Sequence, residues 1–166
     1  SGPSNFRITE DEEGNPVLHS PGDYNVIVPG HRDIDFRKNV LDQAGVGRQV
    51  ITFTAPGTSI ESPERAAELA TIINDGLANA RDRHPDRFTP LGHLPLNNPA
   101  AAAQEFDRVV GELGFPGVML FSNASGVPLA DERFWPLYER ANDAGALIYI
   151  HPTYPVGVEA MEEFML

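Results

Sequence analysis

The chain contains no cysteine. That absence excludes disulfides, cysteine-ligated zinc and a thiol nucleophile, so any metal must be held by His and carboxylates. Cations are scarce as well. Lys and Arg number 12 against 24 Asp and Glu, for a formal net charge of -12. Such a surface repels phosphate backbones and anionic lipid, so neither nucleic acid nor a membrane is an expected partner. No stretch approaches the length of a membrane-spanning helix. The first seven residues, Ser-Gly-Pro-Ser-Asn-Phe-Arg, lack the apolar run of a signal peptide, and a cytoplasmic location is the expectation. The chain does not begin with Met, which is expected of one trimmed or cut from something longer. There is no low-complexity tract and no sequence repeat.

What is present is enough for one domain. The chain has 166 residues, of which 41% are hydrophobic, so a sizeable core can form. Residues 1–32 are polar and turn-rich, and read as a long surface excursion of the kind that forms lids or subunit contacts. An acidic turn, Glu10–Pro16, separates extended pieces around Phe6–Ile8 and Val17–Leu18. A second turn falls at His19–Asp23, before a short extended run at Val26–Val28.

Regular structure is expected over 33–166. Phe36, Val40, Leu41 and Ala44 fall at helical spacing, with Gly45 as the stop. Gln49–Thr54 reads as a strand. Ser62-Pro63-Glu64 reads as a helix start, followed by a stripe of Ala66, Leu69, Ala70, Ile73 and Leu77 that ends before His84. Phe88–Leu96 is the next strand. Asn98-Pro99 opens a helix with a stripe of Ala102, Phe106, Val109, Val110 and Leu113. Gly117–Ser122 is a third strand, and Pro136 marks the first turn of a helix that presents Leu137, Tyr138 and Ala141 inward. Ala146–Pro152 is a fourth strand, and Val158–Leu166 begins a further helix.

The fourth strand organises the rest. Ala-Leu-Ile-Tyr-Ile runs into His151 and is stopped by Pro152, as in a strand buried on both faces of a parallel sheet. His151 then sits at a strand's C-terminal end, where parallel α/β folds keep their chemistry. It is either a satisfied histidine at a strand end or a ligand with partners elsewhere. Leu147, Tyr149 and His151 should share one face, and Ile148 and Ile150 should pack outward against helices. The other strand ends, at Thr54, Leu96 and Ser122, should open at the same mouth. Alternating strands and helices imply right-handed crossovers. The loop after the first strand, Ala-Pro-Gly-Thr-Ser-Ile-Glu, has one Gly and is no dinucleotide or phosphate loop. Two architectures remain: an open sheet, or part of a (β/α)₈ barrel, which needs about 250 residues.

Four segments in order resemble one family: Phe88-Thr-Pro-Leu-Gly-His-Leu-Pro-Leu-Asn-Asn-Pro99, Glu112–Val118, Phe134–Ala141 and Tyr149-Ile-His-Pro152. Arg37, Asp42 and Gly45-Val46 also fit. Together, from about Asp33 to Pro155, they are similar to the amidohydrolase superfamily, in the branch of aminocarboxymuconate-semialdehyde and resorcylate decarboxylases. The resemblance implies an α/β fold of (β/α)₈ TIM-barrel type, with this chain holding roughly strands two to five behind an N-terminal excursion. It also implies one divalent metal, zinc by expectation, with His151 as the ligand that closes strand five. No His-x-His occurs here, so the family's strand-one pair would lie upstream. Its later histidine and its strand-eight aspartate would lie downstream. No catalytic residue is assigned within the chain.

The implied function is a metal-dependent decarboxylase (a C–C lyase) or hydrolase acting on a small carboxylated or cyclic substrate. The alternative is a non-catalytic α/β fragment that lacks the complete metal site and associates with a partner half. An open half-barrel leaves two unpaired edges, so a homo-oligomer is expected. Substrate-binding candidates are His31 and Arg32, because Arg pairs carboxylates bidentately, and Asn123 at the end of the third strand. Each has a plainer role open to it, as a solvated loop pair or a loop cap. His93 is expected to be structural, Trp135 to pack, and His19 and His84 to lie at the surface. Ser59 and Ser125 have no histidine at readable spacing, so serine nucleophilic catalysis is unsupported.

Overall fold

A computed structural model of the chain describes residues 7–20 and 23–153. The expected helix at Val158–Leu166 lies outside them, as do Phe6 and the middle of the second turn. The chain divides into two compact units between Gly47 and Arg48.

The first unit opens with a three-stranded antiparallel meander: β1 (Arg7–Glu10), β2 (Pro16–Ser20) and β3 (Asp23–Val26). The acidic segment turns β1 into β2. Asp11 accepts the Glu13 and Asn15 amides at 2.9 and 2.8 Å, and those bonds, that of Asn15 foremost, hold its carboxyl below the ordinary range. A short helix α1 (Pro29–Arg32) leads to α2 (Ile34–Gln43), capped by Asp33 accepting from the Asp35 and Phe36 amides. Gly45, at φ 68°, ends α2. The Val46 amide bonds to the Leu41 carbonyl across the turn.

The second unit is a run of strand–helix pairs: β4 (Gln49–Ile51), α3 (Pro63–Arg83), β5 (Phe88–Pro90) and β6 (Gly92–His93), α4 (Pro99–Asp107), and β7 (Gly117–Phe121). A short hairpin of β8 (Asn123–Ala124) and β9 (Val127–Pro128) follows, then α5 (Trp135–Ala144) and β10 (Leu147–His151). The helix starts follow the sequence. Ser62 caps α3 by accepting the Arg65 amide at 3.3 Å, and Asn98 caps α4 by accepting that of Ala101 at 3.2 Å. Past Asp107, α4 widens into a looser turn over Arg108–Glu112, where the Leu113 amide reaches the Arg108 carbonyl five residues back.

The strands are shorter than the sequence pattern implies. β4 stops at Ile51, not Thr54. The strand expected over Phe88–Leu96 is interrupted at Leu91, between β5, where Pro90 pairs with Ile51, and β6. β5 and β6 remain one course, since the Leu91 amide bonds to the Ile51 carbonyl at 3.0 Å. All the pairings in this unit except the hairpin are parallel: β4 with β5, β6 with β7, and β7 with β10. Strand neighbours in sequence are therefore neighbours in space. A doubly wound sheet reverses its order part-way; this one does not.

The helices share one face. Val118 and Leu120 of β7 are buried with Ala78 of α3, Ala102 and Phe106 of α4, and Leu137 and Ala141 of α5, and Ile148 packs on the same cluster. The opposite face carries His93, Met119 and Tyr149 in one register row, then Phe121 and His151 in the next. This is the winding of a (β/α)₈ barrel over four successive units. Four expectations fail. β10 is not buried on both faces, since Leu147, Tyr149 and Ile150 are each about half exposed, and Trp135 is half-exposed rather than packed. Leu96 does not open at the mouth: the Leu96 amide bonds to the Leu94 carbonyl in a tight turn, and both leucines enter the helix-side core. Ile150 is 55% exposed and does not pack on that core; Ile148 does.

Candidate functional site

The C-terminal ends of the parallel strands gather one set of loops. The Ser122 amide bonds to the His151 carbonyl at 3.0 Å and so extends the β7–β10 ladder. Ser122 Oγ accepts the Thr153 amide at 3.0 Å and lies 2.9 Å from Thr153 Oγ1. The loop after β4 is tied to those after β6 and β7. Its Ser59 carbonyl accepts from Ser125 Oγ at 2.9 Å and from Asn97 Nδ2 at 3.3 Å.

His151 closes β10 on the face away from the helices. Its Nδ1 lies 2.8 Å from the Pro152 carbonyl oxygen. A carbonyl only accepts, so Nδ1 carries the proton and Nε2 keeps its lone pair. That is the tautomer a metal-ligating histidine adopts. The ring stands edge-on to Phe121, with centroids 5.9 Å apart and planes at 81°. His151 fits as one ligand of a divalent cation. No cluster of three or more His, Asp or Glu that could hold a metal occurs among the described residues.

The other candidates are divided. Asn123 is tied to the segment after His151: its Nδ2 donates to Thr153 Oγ1 at 3.3 Å, and its Oδ1 accepts the Gly126 amide at 3.0 Å. It both caps its own loop and borders the mouth. His31 and Arg32 form the last turn of α1 in the N-terminal unit, and both are exposed.

His93 is 2% exposed, on the same face as His151 and one register row below it. Phe53 and Phe121 flank its ring at 5.3 and 6.0 Å between centroids. Burial pushes its pKa down from 6.5 to about 4. Over it runs the loop after β4. Gly57, at φ 71°, passes so close to Phe121 and His93 that a Cβ there would overlap the Phe121 ring edge at Cε2. Sequence reasoning missed Phe121, Thr58 and the α3 residue Asn74. For Asn74 a signal existed: a polar residue on the inward line of Ala66, Ala70 and Ala78.

A family model described as Amidohydrolase matches residues 22–165. The chain belongs to the amidohydrolase family. The 2-amino-3-carboxymuconate-6-semialdehyde decarboxylase of Dictyostelium discoideum is 36% identical over 136 residues, covering 81% of this chain and 38% of that protein. A solved 5-carboxyvanillate decarboxylase from Novosphingobium aromaticivorans, complexed with manganese and 4-hydroxy-3-methoxy-5-nitrobenzoic acid, superposes with a TM-score of 0.77 at 29% identity. That match covers 83% of this chain and 40% of that one. A dihydroxybenzoic acid decarboxylase from Polaromonas sp. JS666, with bound manganese and 2-nitroresorcinol, gives a TM-score of 0.69 at 32% identity, covering 76% and 40%. The chain thus spans about 40% of the length of the relatives it matches.

Proposed function

We propose that the protein is a metal-dependent decarboxylase of a small carboxylated aromatic substrate, and that His151 is one of its metal ligands. The observation that carries this is the His151 ring. It sits at the C-terminal end of a parallel strand, its Nδ1–H is spent on the Pro152 carbonyl, and its Nε2 lone pair is left for a cation. The three relatives named above are all decarboxylases, which favours C–C cleavage over hydrolysis. Two of them hold manganese, so manganese replaces zinc as the first metal to test. When bound, the cation would anchor a substrate oxygen and stabilise negative charge as the C–C bond breaks.

This chain's own residues do the rest. The Pro152 carbonyl fixes the His151 tautomer. Phe121 fixes its ring plane and keeps water from one side. Asn123, at the rim, is proposed to meet a carboxylate or phenol oxygen of the substrate. On this reading residues 33–166 belong to the barrel and 1–32 to the excursion before it. The protein is proposed to be a cytoplasmic homo-oligomer; among the described residues no helix is long and apolar enough to cross a membrane.

The test is metal analysis of the intact protein beside a His151→Ala variant. The variant should lose bound metal and at least about 100-fold in carbon dioxide release from a hydroxybenzoate or carboxymuconate substrate. Full metal content and full activity in that variant would remove His151 from the site.

A further inference from the structure

The proposed metal chemistry leaves one buried histidine unused, and the protein holds that residue by both its backbone and its ring. His93 has its backbone gripped by Asn74 of α3. The Asn74 side chain donates to the His93 carbonyl at 2.9 Å and accepts the His93 amide at 2.8 Å. β4 has already stopped at Ile51, so on this side of β6 the Asn74 amide takes the place of a strand. Asn74 is oriented in turn by Glu105, whose Oε1 accepts its second N–H at 2.7 Å. Arg108 meets both Glu105 oxygens, at 2.7 and 3.0 Å, so the buried carboxylate is not left as a lone charge. A leucine at position 74 would have completed the apolar line of α3 without any of these groups.

The ring is held too. Thr58 presents its amide to His93 Nε2 at 3.2 Å and its hydroxyl at 3.0 Å. An amide only donates, so Nε2 is the acceptor and Nδ1 carries the proton. Nδ1 has no partner among the described residues. A packing role would be served as well by leucine or phenylalanine. What imidazole adds is a lone pair aimed at Thr58.

We propose that His93 is a positioning residue for the mouth of the site: by holding Thr58 it pins the loop after β4, so that Gly57 closes on Phe121 and Phe121 sets the ring of His151. The last link rests on the reading of His151 as a metal ligand; the clamp on Thr58 does not. Burial keeps the ring neutral, with its pKa lowered to about 4, so the lone pair persists through the ordinary pH range.

The test compares wild type, His93→Leu and His93→Gln in the intact protein. In the metal-free protein, His93→Leu should speed amide exchange at Gly57 and Thr58 at least tenfold, with core amides such as Ala141 unchanged. His93→Gln, whose carbonyl oxygen can accept the Thr58 amide, should restore much of that protection. With manganese added, His93→Leu should weaken metal binding about 10–100-fold, as loss of a supporting contact does, and His93→Gln should recover most of it. Unchanged exchange at 57–58, or exchange raised equally throughout the core, would overturn the proposal. Unaltered manganese affinity in His93→Leu would overturn the link to His151. The wild-type imidazole ¹⁵N spectrum decides the tautomer even if the leucine variant does not fold: a proton on His93 Nε2 would sink the clamp. Should wild type bind no metal, the His151 reading falls, while exchange and tautomer still judge the clamp.

Discussion

Asn74 shows how much one side chain can organise. Its amide serves the His93 backbone twice and Glu105 once. Asn74→Leu would strand a buried N–H, a buried carbonyl and one carboxylate oxygen, and should destabilise the protein by about 2–4 kcal/mol, read from the urea midpoint. The Glu105 hydrogen bonds hold the Arg108 guanidinium well above its ordinary range, against its partial burial, so the cation stays charged even at alkaline pH. His93 behaves oppositely. Its folded pKa is about 4 against 6.5 for a free ring. Below pH 6.5 the unfolded chain takes a proton that the folded one refuses. Stability is thus full above pH 6.5 and falls as pH drops towards 4, by up to about 3 kcal/mol. Urea unfolding across that range should show the loss in wild type and a flatter profile in His93→Gln. Of these residues the sequence displays His151 plainly, through its apolar run and Pro152. Asn74 is visible as a polar break in an apolar line. Thr58 and Phe121 are not visible, because what matters is that loops and strands distant in sequence, 35 residues apart for Thr58 and His93, meet at one ring.

At the scale of elements, the helices were legible and the strand lengths were not. Ser62, Asn98 and Gly45 act locally, through hydrogen bonds within a turn or two, and their chemistry can be read without a fold. A strand ends where its neighbour ends, and that is a property of two segments at once. Two glycines make the contrast testable. Gly76 lies inside α3, and a methyl group placed on its Cα would meet nothing within 4 Å. Gly76→Ala should therefore stabilise by about 1 kcal/mol through helix propensity and raise the melting temperature. Gly117 opens β7, and a Cβ there would overlap the Leu147 carbonyl oxygen. That atom is backbone and cannot swing away. Gly117→Ala should push β10 off β7, lower the melting temperature sharply, and displace His151 at the far end of the same strand, seen as loss of bound metal.

For the whole molecule, the decisive feature is the strand order, which runs in sequence order from β4 to β10. Parallel crossovers with every described helix of this unit's core on one face bend such a sheet towards a barrel, and the rhythm of the sequence alone left that choice open. At the two margins, Val50 of β4 and Leu147, Tyr149 and Ile150 of β10 are about half exposed or more. The 166-residue chain in isolation should associate through those margins. Its net charge of -12 opposes contact between copies, so light scattering should show larger particles as salt is raised. A monodisperse monomer at every ionic strength would count against open edges.

Sequential winding also bears on how such a sheet is made. Each strand's partner is the one synthesised just before it, a few tens of residues earlier. Pairing never has to wait for a distant segment, so the loop closed at each step is short and its entropic cost stays nearly constant. A chain leaving the ribosome from its N-terminal end can lay down β4, then β5 and β6, then β7, then β10, with each new helix sealing the strand before it. His151, at the tip of the last strand described, is then put in place only after the clamp beneath it has formed.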